Sequence, residues 1–451
     1  MNTPEQPPHI TVIGAGLAGA EAAWQAAQRG VHVQLLEMKP LHYSPAHHSP
    51  DFAELVCSNS LRSAQLFNAV GLLKEELRRM HSLILSAADA TAVAAGAALA
   101  VDRTRFSAHV TQALRTHPRI TVQACEVTAL PDAADGIVVI ATGPLTSAPL
   151  ASALQEAFGV ESLHFFDAAA PIVDGESIDY THAYLSSRYG KGEAAYLNCP
   201  LTQEEYTAFY DALLHAQLAP LHDFDAQAQA DLTVFEGCMP IEVMAARGID
   251  TLRYGPFKPV GLPDPRTGKE PYAVLQLRRE NAAGTMYNLV GCQTRLTFSE
   301  QRRVFSQIPA LQNATFLRYG VMHRNTYLNA PALLDATYAW RSQPKFYFAG
   351  QMTGVEGYVE SAASGCIAGI NAARQAMGQA PFVFSPVSMM GAMASYISNP
   401  AHVRFEPMNA NFGLIAPLSA RVRGGKRAKY DEYVRRSLTY FDTCYKEGLL
   451  P

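Results

Sequence analysis

The first ordered pattern of apolar and polar positions lies at residues 9–37, HITVIGAGLAGAEAAWQAAQRGVHVQLLE. His9 to Ile13 is mostly β-branched and reads as a buried strand. Alanines at helical spacing then run to about Arg29, where Gly30 stops them, and a second β-rich run closes on Glu37. This change of period predicts strand, helix, strand. DGIVVIATGP (Asp135–Pro144) predicts another strand, ending in a glycine turn. Near the other end, KFYFAGQMTGVEGYVESAASG (Lys345–Gly365) predicts a buried strand from Phe346 to Ala349, a glycine-rich turn and an alanine-rich helix.

Between the first strand and first helix stand Gly14, Gly16 and Gly19, with Ala15, Leu17 and Ala18 among them. Such a GxGxxG turn lets the first glycine bend sharply, the second admit a pyrophosphate to the backbone, and the third pack helix on strand. The helix N-terminus offers unpaired N–H groups to the phosphates. Glu37, 21 residues beyond Gly16, is spaced to bond ribose hydroxyls. The expected fold is α/β, with a Rossmann-like dinucleotide-binding domain. The late strand and helix would bring a second helix N-terminus to the remainder of a long cofactor. This pairing resembles FAD-binding flavoproteins of the glutathione-reductase and GidA-like kind. The resemblance implies FAD, held by the first turn, by Glu37, and by Gly350, Gln351, Thr353, Gly354, Val355, Glu356, Gly357 and Tyr358.

Residues 151–330 change character, with interleaved aromatic and charged positions and frequent prolines. An inserted α+β domain is expected there, dividing the FAD-binding domain into 1–150 and 331–451. Within the insert, Leu201–Gln217 reads as helix, and Tyr272–Leu277 and Met286–Val290 as strands.

A chain of 451 residues exceeds one comfortable core, and 48% apolar with 17% charged residues suits a globular protein. The longest apolar run, Ala92–Val101, is too short to cross a bilayer. NTPEQPP near the start has no signal-peptide character, so a cytoplasmic protein without a membrane segment is expected. Seven scattered cysteines with no CxxC predict neither a disulfide framework nor a metal site. The chain carries −4 overall, yet Arg421–Arg436 (RVRGGKRAKYDEYVRR) carries +5. That run is either a solvated helix face preceded by a loop or a phosphate-binding site for a polyanion.

The stretch ELVCSNSLRS (Glu54–Ser63) sets Cys57 in polar company, where cysteine is more often a small buried hydrophobe. Arg62 and a helix starting near Asn59 would favour its thiolate. Cys238, in FEGCMPIE, has the plain reading of a core residue at a strand end. Cys125 and Cys366 read as packed in a strand and a helix, and Cys199 and Cys292 have no assignment. Tyr358 and His323 are either ring-stacking groups or packed structural residues.

In order and spacing, GAGLAGAEAAWQAAQRG, ELVCSNSLRS, FEGCMPIE, RYGPFKPVGL, YGVMHRNTYLNAP and FAGQMTGVEGYVESAASG resemble the folate- and FAD-dependent tRNA (uracil-5-)-methyltransferase family. The resemblance spans His9 to about Pro400. It implies methylenetetrahydrofolate as carbon donor, reduced FAD as carrier and reductant, and NADPH or NADH to reduce the flavin. It also implies 5-methyluridine at position 54 of the tRNA T-loop as product. Cys57 and Cys238 would then act as nucleophile and acid/base, in an assignment the sequence leaves open. The same chemistry on a ribosomal-RNA uridine is an alternative. An NAD(P)H-dependent flavin oxidoreductase of a small metabolite and a flavin-stabilised RNA-binding scaffold are two others.

Overall fold

The strand His9–Ile13 lies at the centre of a six-stranded sheet, with Ile10, Val12 and Ile13 buried in the core. The computed structural model describes residues 8–132, 136–159, 163–168, 170–190, 193–219, 239–281, 283–320, 322–401 and 405–450. The sheet order is Ala339–Trp340, Gln343–Phe348, Ile137–Ile140, His9–Ile13, His32–Glu37, Ile120–Ala124. All neighbours are parallel except the outermost pair, Ala339–Trp340 with Gln343–Phe348. Strands that follow His9–Ile13 directly build to one side, and the later ones build to the other. A crevice therefore opens beyond the carboxyl ends of His9–Ile13 and Ile137–Ile140, where doubly wound sheets take their ligands.

Two helices cross on this sheet at small residues. The first, Leu17–Gln28, presents Ala18 and Ala22 to Gly365 and Gly369 of the late helix Tyr358–Ala376. A Cβ on Gly365 would stand 2.1 Å from the Ala18 carbonyl oxygen, and one on Gly369 would stand 2.5 Å from that of Ala22. The alanine-rich pattern of both segments thus serves close approach, which brings both helix N-termini to one crevice.

Residues from Ile172 to Arg318 form a second six-stranded sheet, antiparallel throughout, with its own core around Leu197, Phe209, Phe257, Leu275 and Phe305. Its strands Ala273–Arg279 and Met286–Leu289 fall close to the predicted ones. Its helix runs from Gln203 to Leu214 because Thr202 and Glu205 close a capping box at its start. The architecture is thus a Rossmann-like α/β domain with an inserted α+β domain. The chain enters and leaves the insert through one antiparallel ribbon, Leu163–Ala168 with Met322–Tyr327. His323 lies opposite Asp167 in that ribbon.

Beyond the late helix, Met389–Ile397 and the C-terminal helix Gly425–Lys446 pack on helix Ala69–Arg79. Glu76, fully buried, accepts hydrogen bonds from the N–H groups of Met389 (2.7 Å) and Met390 (2.8 Å) and from the Ser437 hydroxyl (2.6 Å). One carboxyl thus caps one helix and fastens another. Burial pushes it up to about 7 from an ordinary 4.5. Between those values the folded chain holds a proton that the unfolded chain releases, so stability falls as pH rises through that window. Glu76→Gln cannot titrate, and its amide N–H meets donors. We expect it to lower stability at pH 4.5 by about 1–3 kcal/mol and to lose a pH slope worth up to about 3 kcal/mol. Denaturant melts of both proteins across this range check it, and parallel slopes would place the titration elsewhere.

Candidate active site

The crevice is walled by the first turn, by Glu37, Lys39 and His47, by Thr142–Ser147, and by Gly350, Gln351, Tyr358 and Ser361. It holds about 1130 Å³ of empty space, including its open mouth. Gly14 adopts φ +95°, and a Cβ there would stand 2.7 Å from the Ala141 oxygen. Gly16 precedes the first helix without a side-chain cap, and a Cβ on it would meet nothing within 4 Å. The backbone here is open to a ligand, and the helix's unpaired N–H groups sit behind it. Glu37 is buried and held: its carboxylate accepts from the Ala15 N–H (2.6 Å) and the Lys39 N–H (3.0 Å). The Lys39 ammonium donates to the carbonyls of Ser49 (3.2 Å) and Asp51, and burial lowers its pKa.

At the other end of the crevice stands Tyr358, at the start of the late helix. Its hydroxyl oxygen accepts from the backbone N–H of Cys57 (2.8 Å) and of Ser58 (3.1 Å). Burial pushes the phenol well above its usual range, so it remains protonated at neutral pH. The segment after Cys57 is gripped from the insert. Arg278 donates to Ser58 Oγ (2.7 Å) and Asn59 Oδ1 (2.8 Å), while the Asn59 amide donates to the carbonyls of Arg279 (2.8 Å) and Val101 (3.0 Å). Cys57 is therefore held at the seam, with the dinucleotide crevice on one side and the inserted sheet on the other.

The polar residues around Cys57 do not act as the sequence suggested. No helix begins near Asn59; Ser60–Ser63 is a strand, and the next helix starts at Ala69. Arg62 pairs with Glu360, Nη1 to Oε1 at 2.9 Å, across 298 residues. One cation coupled electrostatically to Cys57 is Arg318, on the insert's edge strand Phe316–Arg318. Its pKa is lowered by burial and by Arg103, and pulled back by Cys57, Tyr358 and Glu54. Arg318 also lines a second cavity between the insert and the first domain, with Arg103, Glu280, Leu55 and His48. Arg103 and Glu280 form an ion pair there, and Arg103 Nη1 donates to the Leu55 carbonyl (2.7 Å).

Among the predicted cofactor residues, Gly14, Gly16, Leu17, Ala18, Glu37, Gly350, Gln351 and Tyr358 line the crevice. Ala15 contributes its N–H to Glu37, and Gly19 packs against the Gly14 carbonyl. Thr353, Gly354, Val355, Glu356 and Gly357 shape the wall from behind. Thr353 donates to the Gly350 carbonyl, Val355 is fully buried, and Glu356 accepts from Gln351. Gly354 and Gly357 take φ +85° and +122° in the turn. Cys238 lies outside the described residues. Cys125 differs from its expected packing: it follows the strand Ile120–Ala124, is only half-buried and lines the crevice. Cys199, Cys292 and Cys366 are buried, and burial raises their thiol pKa values. Lys39, His47, Thr142 and Arg318 are site residues that the sequence reading missed. Thr142 alone had a signal, the ATG after a strand. Among the described residues no cluster of His, Cys, Asp or Glu is placed to hold a metal ion, and no helix is long and apolar enough to cross a membrane.

Residues 9–380 match the family described as glucose inhibited division protein A. A Brevibacillus brevis protein named methylenetetrahydrofolate–tRNA-(uracil-5-)-methyltransferase TrmFO is 57% identical over 431 residues, covering 96% of this chain and 97% of that one. A Lactobacillus gasseri protein of the same name is 57% identical over 442 residues, covering 98% and 99%. That match extends past Pro400 and includes the basic run, beyond the reach expected from the motifs. In structure, the chain is similar to Aquifex aeolicus GidA, with a TM-score of 0.68 at 17% identity, covering 96% of this chain and 73% of that one.

Proposed function

The chain belongs to the glucose inhibited division protein A family, alongside its methylenetetrahydrofolate–tRNA-(uracil-5-)-methyltransferases, and from that membership we propose that it methylates uridine C5 in the tRNA T-loop. Methylenetetrahydrofolate provides the carbon, and NADPH or NADH provides the electrons. Residues 1–150 and 331–451 act as the FAD-binding domain, and 151–330 as the substrate side. The observation that carries this reading is Cys57, whose N–H is held by Tyr358 at one end of a dinucleotide crevice and whose following residues, Ser58 and Asn59, are held by Arg278 of the insert.

The open backbone at Gly16 and the fixed Glu37 carboxylate fit FAD. The first turn would hold its pyrophosphate, Glu37 its ribose, and Gly350–Tyr358 its far end. When bound and reduced, FAD supplies the electron pair that takes a methylene-level carbon to a methyl group. The chain's own groups must prepare the uracil. C5 is a poor nucleophile until a thiolate adds at C6, which places electron density on C5 and O4. After C5 has bonded to the one-carbon unit, a base removes the C5 proton and the C6–S bond breaks. Cys57 and Cys238 are the proposed nucleophile and acid/base. Arg318 favours the thiolate of Cys57 by its positive charge.

Mapping 5-methyluridine in tRNA and ribosomal RNA from cells lacking the protein tests the reading. Loss confined to the tRNA T-loop is expected. Loss in ribosomal RNA with intact tRNA would move the same chemistry to the alternative substrate. No loss in either RNA would leave an NAD(P)H-dependent flavin oxidoreductase.

A further inference from the structure

The cations of the C-terminal run cluster before and within the first two turns of helix Gly425–Lys446. Arg421, Arg423, Lys426, Arg427 and Lys429 are all exposed. Arg427 pairs with Asp431 (3.2 Å), and further along Arg435 pairs with Glu432. Among the described residues no carboxylate pairs with Arg421, Arg423, Lys426 or Lys429. A face selected only for solubility would spread its charges in i, i+3 or i, i+4 pairs, as Arg427 with Asp431 and Glu432 with Arg435 do, whereas Lys426 and Lys429 have no such partner among the described residues. Here Gly424 and Gly425 lead into the helix with φ +110° and +77°, no side chain caps it, and its first turn has no acid. Its unpaired N–H groups and positive dipole end therefore add to the lysines and arginines.

The placement of this cluster ties it to the reaction site. The Arg427 guanidinium lies 3.8 Å from the centre of the Phe67 ring, on the segment that follows Cys57. Tyr430 and Tyr433 pack on Phe412, at 4.3 and 5.7 Å between ring centres. Close by, the Ala410 N–H donates to Glu360 (3.0 Å), the carboxylate oxygen that also pairs with Arg62. Glu360 is two residues from Tyr358, whose hydroxyl holds Cys57. On the opposite side, Glu76 bonds Ser437, and Arg79 bonds Asp442 and the Leu438 carbonyl (3.2 Å). The helix that carries Lys426 and Lys429 is thus packed against the segments that follow Cys57 and Tyr358.

We propose that Arg421, Arg423, Lys426 and Lys429 grip the phosphate backbone of tRNA and set the register of the loop presented to Cys57. This deepens the proposed function and rests on tRNA being the substrate. Phosphate contacts position a nucleic acid without reading its sequence. Removing one cation that neutralises a phosphate should lower the log–log salt slope of binding by about 1.

The test compares the wild-type holoenzyme with the variant R421Q/R423Q/K426Q/K429Q, using an unmodified tRNA transcript. The slope of log Kd against log salt is expected to fall by about 3–4 in the variant. KM for tRNA should rise at least about tenfold, with kcat at saturating tRNA retained. Arg435→Gln, which removes a charge already paired with Glu432, should leave the slope within about 0.3 of wild type. An unchanged slope in the quadruple variant, with wild type methylating normally, overturns this inference alone. Wild type that binds tRNA through these residues but never methylates it overturns the proposed function and leaves this inference standing. Cosedimentation with phosphatidylglycerol vesicles that the variant loses, at unchanged tRNA slope, would assign the cluster to an anionic membrane instead.

Discussion

Cys57→Ala is expected to lower tRNA methylation at least about 10²-fold while NADPH still reduces the flavin at the wild-type rate. The two readouts separate because flavin reduction does not touch uracil, whereas activation of C5 needs a covalent nucleophile at C6. The backbone of the segment should survive, since Tyr358 holds it through the N–H groups of Cys57 and Ser58, and alanine keeps both. Cys238→Ala should fail in the same assay at the acid/base step. Cys444→Ala, a packed thiol on the C-terminal helix, should methylate normally. Cys125 is a poorer control, because it lines the crevice. An RNA hairpin with 5-fluorouridine in its T-loop decides which thiol attacks. Fluorine cannot leave C5 as a proton does, so the C6–S bond persists, and peptide mapping reads its position. A label on neither cysteine, or normal methylation by both alanine variants, would end the two-thiol mechanism.

What the sequence reveals of this site depends on how local the physics is. The glycine turn, Glu37 and the late strand–turn–helix were legible because each is a short pattern with one dominant backbone solution. The stretch after Cys57 was misread for an equally local reason. Serine and asparagine are N-cap residues, but their side chains also bond backbone two residues on. Here Ser58 Oγ accepts from the Ser60 N–H (3.1 Å) and Ser60 Oγ from the Arg62 N–H (3.0 Å), which bends the chain into a short strand. The partners that matter most are remote. Arg278 reaches Asn59 across 219 residues, and Glu360 meets Arg62 across 298. No spacing rule in one sequence encodes such pairs. They follow from the insert's sheet and the late helix arriving at the same seam.

Gly16→Leu is expected to yield a folded protein that is colourless, where the wild type is expected to be yellow, with FAD and not FMN. The three glycines of the turn fail in different ways. A side chain on Gly19 would be built 1.8 Å from the Gly14 oxygen, and one on Gly14 would meet the Ala141 oxygen at φ +95°. Substitution at either disturbs the fold itself. Gly16 has φ −69°, which any residue adopts, and open space where a Cβ would stand. A side chain can leave the backbone there without a clash at its Cβ, and that of leucine would fill the approach of a pyrophosphate to the helix N-terminus. The loss falls on the ligand, and we expect affinity for FAD to drop at least about 100-fold, equivalent to about 2.8 kcal/mol. Gly16→Ala, with one carbon in the same space, should lose less. Titration of FAD into each apoprotein, with circular dichroism to verify the fold, measures both. Wild-type affinity in the leucine variant would mean that the pyrophosphate does not pass over Gly16. Mass spectrometry of the chromophore released from wild type gives an independent check, since FMN lacks the second phosphate and the adenosine that this turn and Glu37 are proposed to hold.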